Sequence, residues 1–442
     1  MASPPPRAPT ATASRWPRGC ATPVSSTGCR ATSASRGIPR SCETGPRDHL
    51  PRLPSPAPRQ TGDLPTRLFA IACGVAVANL YYVQPLLAVI ARGFDLTAAT
   101  ASLLLFCSQI GYAAGILLFV PLGDVRDRRR LVGSMMGIAA AALLLCALAP
   151  SFDLLLISIF LVGLTTVSGQ ILVAFTADLS AEDSRGRALG TVVSGLLTGI
   201  LAARAASGLI ADALGWRAVF LIATTLNLLL AVLISRGAPR SSGRRGPGYR
   251  ALLRSVPALV RAQPPLRRVM AFGFVSMAAF NLFWTATTLL LSSPHYHFTP
   301  GEIGALSALG LVGTTVARRA GRLHDSGRST LASTAAWAVM LTGWLACIPA
   351  GSSLGWLIAA VVVIDVGTQG QRILNQTRAL TLTPSARSRA NTAYTSGNFL
   401  GAATGSLAAM LLWRAGGWTA VAAAGSATCL LALGASLRTD RA

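Results

Sequence analysis

The sequence predicts an all-α polytopic membrane protein, twelve transmembrane helices arranged as two six-helix bundles, and three observations carry that prediction. The chain of 442 residues is 52% hydrophobic and only 12% charged, with positive mean hydropathy, which is too apolar for a soluble two-domain protein. Its 39 basic residues are all arginine and fall almost entirely on one side of a series of apolar segments. The second half of that series repeats features of the first at a fixed offset.

Taken in order, the apolar segments run 68–91, 100–122, 131–149, 154–177, 188–211, 218–235, 269–291, 301–317, 330–349, 354–375, 390–412 and 417–437. Each approaches the roughly 20 residues a helix needs to cross about 30 Å of hydrocarbon. The eighth is the weakest, being short and ended by Arg318 and Arg319. Residues 1–66 are rich in Pro, Ser, Thr, Ala and Arg and hold no apolar run, which predicts a disordered tail or a translation start placed too early. No secretory signal is expected, since the first apolar segment is long enough to remain in the membrane. The predicted layout is a tail at 1–66, a first bundle at 67–235, a basic loop at 236–268, a second bundle at 269–438 and a short tail at 439–442. Cys20, Cys29 and Cys42 sit in the tail at irregular spacing, while Cys73, Cys107, Cys146, Cys347 and Cys429 sit singly within segments. Neither a disulfide framework nor a metal site is therefore predicted.

A formal charge of +24 would suggest a nucleic-acid partner in a soluble chain. With the N-terminus taken as cytoplasmic, 34 arginines lie on that side of the segments, against Arg92, Arg217 and Arg414 on the other. This is the asymmetry of the positive-inside rule. It predicts a multi-pass membrane protein with both termini and the central loop in the cytoplasm. The charge forms no separate basic domain, so nucleic acid is not expected as a partner.

The repeat defines the architecture. At an offset of 202 residues, Asn79, Leu80, Tyr81 and Tyr82 meet Asn281, Leu282, Phe283 and Trp284. The same offset pairs Arg185 and Arg187 with Arg387 and Arg389, Gly195 and Gly199 with Gly397 and Gly401, and Gly215 and Trp216 with Gly417 and Trp418. At an offset of 198, Gly115, Gly123, Asp127 and Arg130 meet Gly313, Gly321, Asp325 and Arg328. Internal repeats of this kind in an apolar chain point to a secondary transporter.

The charged stretch Gly123, Asp124, Val125, Arg126, Asp127, Arg128, Arg129, Arg130 resembles the loop between the second and third helices of the major facilitator superfamily. The pattern there is Gly, three residues, Asp, Arg, then further basic residues. The string from Asn79 through Tyr81, Tyr82, Val83, Gln84 and Pro85 to Leu87 is similar to that of a bacterial group within the superfamily, usually placed among efflux carriers. The resemblance covers nearly everything after residue 67 and implies the major facilitator fold. Two departures stand out: Arg129 or Arg130 replaces the loop's usual second glycine, and the Gly-Pro step of antiporter members is missing where Ala203, Arg204 and Ala205 stand.

A charge at mid-membrane costs about 2.5 to 3.5 kcal/mol on insertion scales, so one that persists marks a cavity or a partner. Asp365 is the only acid deep in a predicted helix, which makes it the candidate for proton coupling, with pairing that locks helix packing as the alternative. Gln369 and Arg372 follow on the same helical face. Arg372 is roughly 10 Å along the axis from Asp365, so Gln369 or water would lie between them. Arg204 lies roughly 24 Å from the cytoplasmic end of helix five, where it either faces the cavity or snorkels to the outer interface. Asn79, Tyr82, Gln84, Gln109, Gln170, Asn281 and Trp284 complete the predicted substrate pathway, on helices that line the cavity in the resembled fold. For Asn79 and Asn281, interhelical hydrogen bonding is the alternative.

By resemblance, Gly123, Asp127, Arg128, Arg130 and the echo Asp325 form a gate. In it Asp127 docks at the positive end of helix eleven near Arg389, and Arg128 and Arg130 meet acids at the end of helix four such as Asp178. Orientation charge alone is the alternative. His49, His295, His297 and His324 lie outside the predicted helices, and the chain has neither a phosphate-binding Gly-Lys-Ser/Thr loop nor any lysine. No cofactor, metal or nucleotide drive is expected, and no enzyme activity. The expected function is secondary transport of a small organic molecule by a monomer, through alternating access. Protons drive efflux in this reading, worth about 2.3 kcal/mol per charge per 100 mV. The alternatives are a proton symporter importing a sugar or organic anion, and a non-transporting receptor or scaffold on the same fold.

Overall fold

The apolar segments become helices because, in hydrocarbon, a backbone must satisfy its own hydrogen bonds. The computed structural model describes residues 63–240, 248–310 and 329–439, and every regular element among them is helical. The first span is split into α1 (Asp63–Ala78) and α2 (Val83–Gly93), and the second into α3 (Ala98–Ala101) and α4 (Leu103–Val125). The third is α5 (Arg128–Leu148), and the fourth is split into α6 (Phe152–Thr165) and α7 (Ser168–Leu179). Then follow α8 (Glu182–Leu214), α9 (Trp216–Gly237), α10 (Tyr249–Ala262), α11 (Pro264–Leu291) and α12 (Pro300–Leu306), the last running into a 3-10 turn at Ser307–Gly310. The described chain closes with α13 (Ser329–Ala350), α14 (Leu354–Thr381) and α15 (Arg387–Thr439).

Ten helical segments among the described residues are long and apolar enough to cross a membrane, and the last of these holds two helices joined at Gly416 and Gly417. The eighth expected span, 301–317, is described only to residue 310. The echo at Gly313, Gly321, Asp325 and Arg328 lies outside the described residues, as does the tail as far as residue 62.

The repeated glycines do the same work in both halves. Gly215 and Gly417 both take positive φ, 84° and 60°, a backbone conformation open to glycine at little cost. Each turns the chain between two antiparallel spans. The following tryptophans are buried, and Trp418 Nε1 donates to the Cys347 carbonyl at 2.7 Å. A Cβ at Gly199 would lie 2.5 Å from the Gly74 Cα, and one at its repeat partner Gly401 would lie 2.9 Å from the Phe274 Cα. Glycine at these positions lets the backbones of α1 and α8, and of α11 and α15, approach closely.

In the first half α1 packs on α8, α4 on α6 and α5 on α9; in the second, α11 packs on α15 and α13 on α14. The halves meet where α4 runs beside α15 and α8 beside α12. The segment expected as a basic loop contains the helix α10. Its Leu252, Leu253, Val256 and Val260 recur at helical spacing on the sheltered face, with Arg250, Arg254 and Arg261 exposed. Tyr249 Oη anchors it by donating to the Leu118 carbonyl at 2.8 Å.

Candidate functional site

The site begins with one proline. Pro85 has no N–H to give the Tyr81 carbonyl, and residues 79–82 of the first span form a tighter turn, in which the Asn79, Leu80 and Tyr81 N–H groups each bond the carbonyl three residues back. Its repeat partner α11 carries Thr287 at the corresponding place and runs unbroken. Adjacent side chains on a helix diverge by about 100°, and here they reach different places. Tyr81 lines a central cavity, whereas Tyr82 lines an apolar groove between α1 and α8. Asn79, at the start of the break, donates from Nδ2 to Thr166 Oγ1 at 3.3 Å and to Asn227 Oδ1 at 3.2 Å, and Asn227 returns a bond to Asn79 Oδ1 at 3.1 Å. Thr166 sits in the matching break between α6 and α7. These bonds tie three spans together and occupy the Asn79 amide.

The central cavity is small, about 80 Å³, and is lined from both halves of the molecule. From α8 comes Arg204, 6% exposed. Its Cζ lies 5.0 Å from the Tyr81 ring centroid and 4.6 Å from that of Trp284, within the range of attraction between a cation and an aromatic face. Arg204 therefore faces inward and does not snorkel. From α14 come Asp365, 4% exposed, then Thr368, Gln369 and Arg372, the last exposed. Asp365 and Arg204 thus line one cavity, on helices from opposite halves, with no direct ion pair between them among the described residues. Two buried polar atoms on this lining, Arg204 Nε and Thr368 Oγ1, have no hydrogen-bond partner.

A second cavity of about 90 Å³ lies further along α14 toward Arg378 and shares Tyr81, Ile200, Met277 and Arg372 with the first. Its walls carry Gln170, Gln376 and Tyr394. Gln170 Nε2 donates to Tyr112 Oη at 3.2 Å, and Tyr394 Oη donates to the Arg372 carbonyl at 3.2 Å. Both cavities are well below the roughly 300 Å³ at the lower end of small-molecule sites. A solute needs the shared side chains to move apart.

Other expected pathway residues sit elsewhere. Gln84 and Gln109 are buried and line neither cavity, with Gln109 Oε1 unpartnered. Asn281 Nδ2 bonds the Met277 carbonyl of its own helix at 3.0 Å. Gln371 of α14, outside that expected set, is taken up by Ser333 and Asn375.

At the arginine-rich end, Arg128 is the centre of the hinge. It is 7% exposed and donates to the Gly123 carbonyl at 2.9 Å, to Asp178 at 2.6 Å and to Asp124 at 3.1 Å. Asp127 caps α5, accepting from the Arg129 N–H at 3.1 Å. Asp124 of the hinge meets the start of α15, accepting from Ser388 Oγ at 3.4 Å. Arg130 is exposed. At the opposite end a Cβ on Gly208 would lie 2.9 Å from the Gly301 Cα, Asp212 accepts from the Gly301 N–H at 2.9 Å, and Arg414 donates to Thr100 Oγ1 at 2.7 Å. The halves therefore touch at both ends, with the cavities between.

Sequence reasoning missed Tyr81, Thr368, Asp124 and Asp212. The signal for Tyr81 was Pro85, whose missing N–H sets where the α-helical bonding is interrupted. For Asp212 it was the nearby Gly208.

Comparison with known proteins follows the same lines. The profile of the Major Facilitator Superfamily matches residues 69–382. The chain is 40% identical over 366 residues to "Uncharacterized transporter YgaY" of Escherichia coli O157:H7, covering 83% of this chain and 93% of the relative. It is 34% identical over 370 residues to "Probable transporter SCO4007" of Streptomyces coelicolor, covering 82% and 85%. Among solved structures it is similar in fold to the nucleoside transporter NupG, with TM-score 0.70 and 11% identity over 85% of this chain and 98% of that one. It is also similar to the human organic anion transporter MFSD10, with TM-score 0.61 and 19% identity over 84% and 97%.

Proposed function

The chain belongs to the Major Facilitator Superfamily, and we propose that this transporter moves a small organic solute through the central cavity by proton-coupled alternating access, with Asp365 as the group that takes the proton. It is a transporter rather than an enzyme. The observation that carries the coupling is the placement of Asp365, buried on a wall contributed by one half and sharing a cavity with Arg204 of the other. A proton arriving there changes the charge balance between the halves, the kind of differential interaction that shifts a two-state equilibrium. Rocking of one bundle against the other then breaks the Asp124 and Ser388 contact at one end, whose acid Arg128 holds from within its own half, or the Gly208 and Asp212 contacts with Gly301 at the other.

The arginine-rich end is cytoplasmic in this reading, by the positive-inside rule, and the protein works as a monomer in the bacterial inner membrane. Export of the solute against inward proton flow is the direction the resemblance implies. A second reading, uptake of a sugar or organic anion together with a proton, draws on one specific observation: two guanidinium groups, Arg204 and Arg372, share the cavity with a single carboxylate.

The test is solute-induced proton movement in liposomes holding the purified protein, with Asp365→Asn alongside and cationic drugs, sugars and organic acids as solutes. Movement in the wild type that is lost in the variant is the expected result, and its sign gives the direction. Solute flux that is equal in both proteins removes Asp365 from the coupling. No flux with any solute leaves the receptor or scaffold reading.

A further inference from the structure

The cavity holds more unpaired donor capacity than its one acid can use. Arg204 is buried, with its Nε unpartnered and its guanidinium held between two rings. Thr368 Oγ1, one turn from Asp365, is likewise buried and unpartnered. Arg372 adds a second cation where the two cavities join. Against these stands Asp365 alone. A buried cation without a charged partner is costly, and a buried polar atom without a hydrogen bond needs an account. An anion supplies both missing terms.

We infer that the transported solute is an organic anion. Its acidic head docks on Arg204, Arg372 and Thr368, and its apolar body lies on Tyr81, Met277 and Phe280. The inference rests on the proton-coupled reading above, in its second form of uptake together with a proton, and names the anion as the substrate class. Its consequence for coupling follows from charge. The charged or titratable groups facing Asp365 are Arg204 of α8, Tyr81 of the first span and Arg372 on its own helix; the linings from α11 and the 307–310 turn are uncharged. With Asp365 ionised, its carboxylate competes with the solute for Arg204. A proton on Asp365 ends that competition, so proton and anion each strengthen the other's binding, as linkage requires. Joint binding means joint passage, which is symport. A cationic solute would instead compete with the proton at Asp365, which is antiport.

The experiment is thermal stabilisation of the purified full-length protein by three molecules that share one ring and differ in charge: benzoate, benzamide and benzylamine. Benzoate is expected to stabilise the protein, with an apparent affinity about tenfold higher near pH 5.5 than near pH 8, and the other two to have no comparable effect. Asp365→Asn is expected to keep benzoate binding and lose its pH dependence. Arg372→Gln, chosen because its side chain is exposed, is expected to lose benzoate binding while its own melting temperature stays near wild type. Equal stabilisation by benzylamine or benzamide overturns the inference. So does pH dependence that persists in Asp365→Asn, or no response to benzoate or to a series of aliphatic carboxylates at either pH. Proton-coupled flux of a neutral or cationic solute that Asp365→Asn abolishes would remove the anion and leave the proton coupling. Anion binding with flux that moves no protons would do the reverse.

Discussion

Gly199→Ala adds a single methyl group where α8 crosses α1. The added Cβ would sit 2.5 Å from the Gly74 Cα, closer than the 3.0 Å that real Cβ contacts almost never breach, and the obstacle is backbone. The two helices must separate by roughly 1 Å to make room, and overpacking of this kind costs about 1–3 kcal/mol. An opposing effect exists, because alanine is a better helix former than glycine by about 1 kcal/mol. Gly137→Ala isolates that effect, since among the described residues nothing lies within 4 Å of a Cβ there. The comparison therefore predicts Gly199→Ala to be less stable than Gly137→Ala by about 1–3 kcal/mol. In a compact unit running from Ala57 to Ala442, with about 2.1 cal/mol/K of unfolding entropy per residue, that is roughly 1 °C in melting temperature per kcal/mol. Thermal unfolding of the purified proteins, followed by tryptophan fluorescence, is the assay. The repeat partner Gly401→Ala should fall in the same way, since its Cβ would meet the Phe274 backbone. If Gly199→Ala melts at or above Gly137→Ala, the close approach of the first and fifth spans is not a stability constraint and the reasoning fails.

Three further outcomes follow from the geometry. A double-mutant cycle on Asn79→Ala and Asn227→Ala should give a coupling of about 0.6 kcal/mol, and not above about 1.7; strictly additive losses would show the reciprocal bonds contribute nothing. Arg128→Gln should lower stability by about 1–2 kcal/mol, since it loses charged bonds to two partly exposed acids, and should slow flux; unchanged flux would remove the hinge from gating. Gly208→Leu should wedge α8 away from α12, so that Ser307→Cys reacts faster with a thiol reagent added from the arginine-poor side; an unchanged rate would show that this crossing does not close the cavity.

Much of this molecule is legible in one dimension because a membrane turns composition into structure. The spans could be counted from apolar runs, since nothing but a helix of about 20 residues fills the hydrocarbon layer. The Gly215 and Gly417 turns could be paired from sequence because positive φ is a local demand that glycine meets without help from tertiary contacts. Asp365 stood out for a similar reason: a lone acid in hydrocarbon is expensive wherever its helix points. The α10 helix was legible in principle, yet its short amphipathic pattern was masked by the charge around it.

What the sequence by itself determined, then, is whatever depends on neighbours along the chain: the spans, the repeat, the one-sided arginines and the deep acid. Only the tertiary structure decided which groups meet. Arg204 could have reached for the interface, and it lies instead between Tyr81 and Trp284, which come from different halves. Tyr81 and Tyr82 are adjacent, yet one lines the cavity and the other a groove. Asp124 reaches Ser388 across the two halves. Each of these turns on a helix rotation of a fraction of a turn or on a contact across more than a hundred residues. Hydrophobic periodicity is indifferent to both, because burial rewards any apolar face that finds lipid or core, whereas a hydrogen bond or a cation over a ring requires one partner in one place.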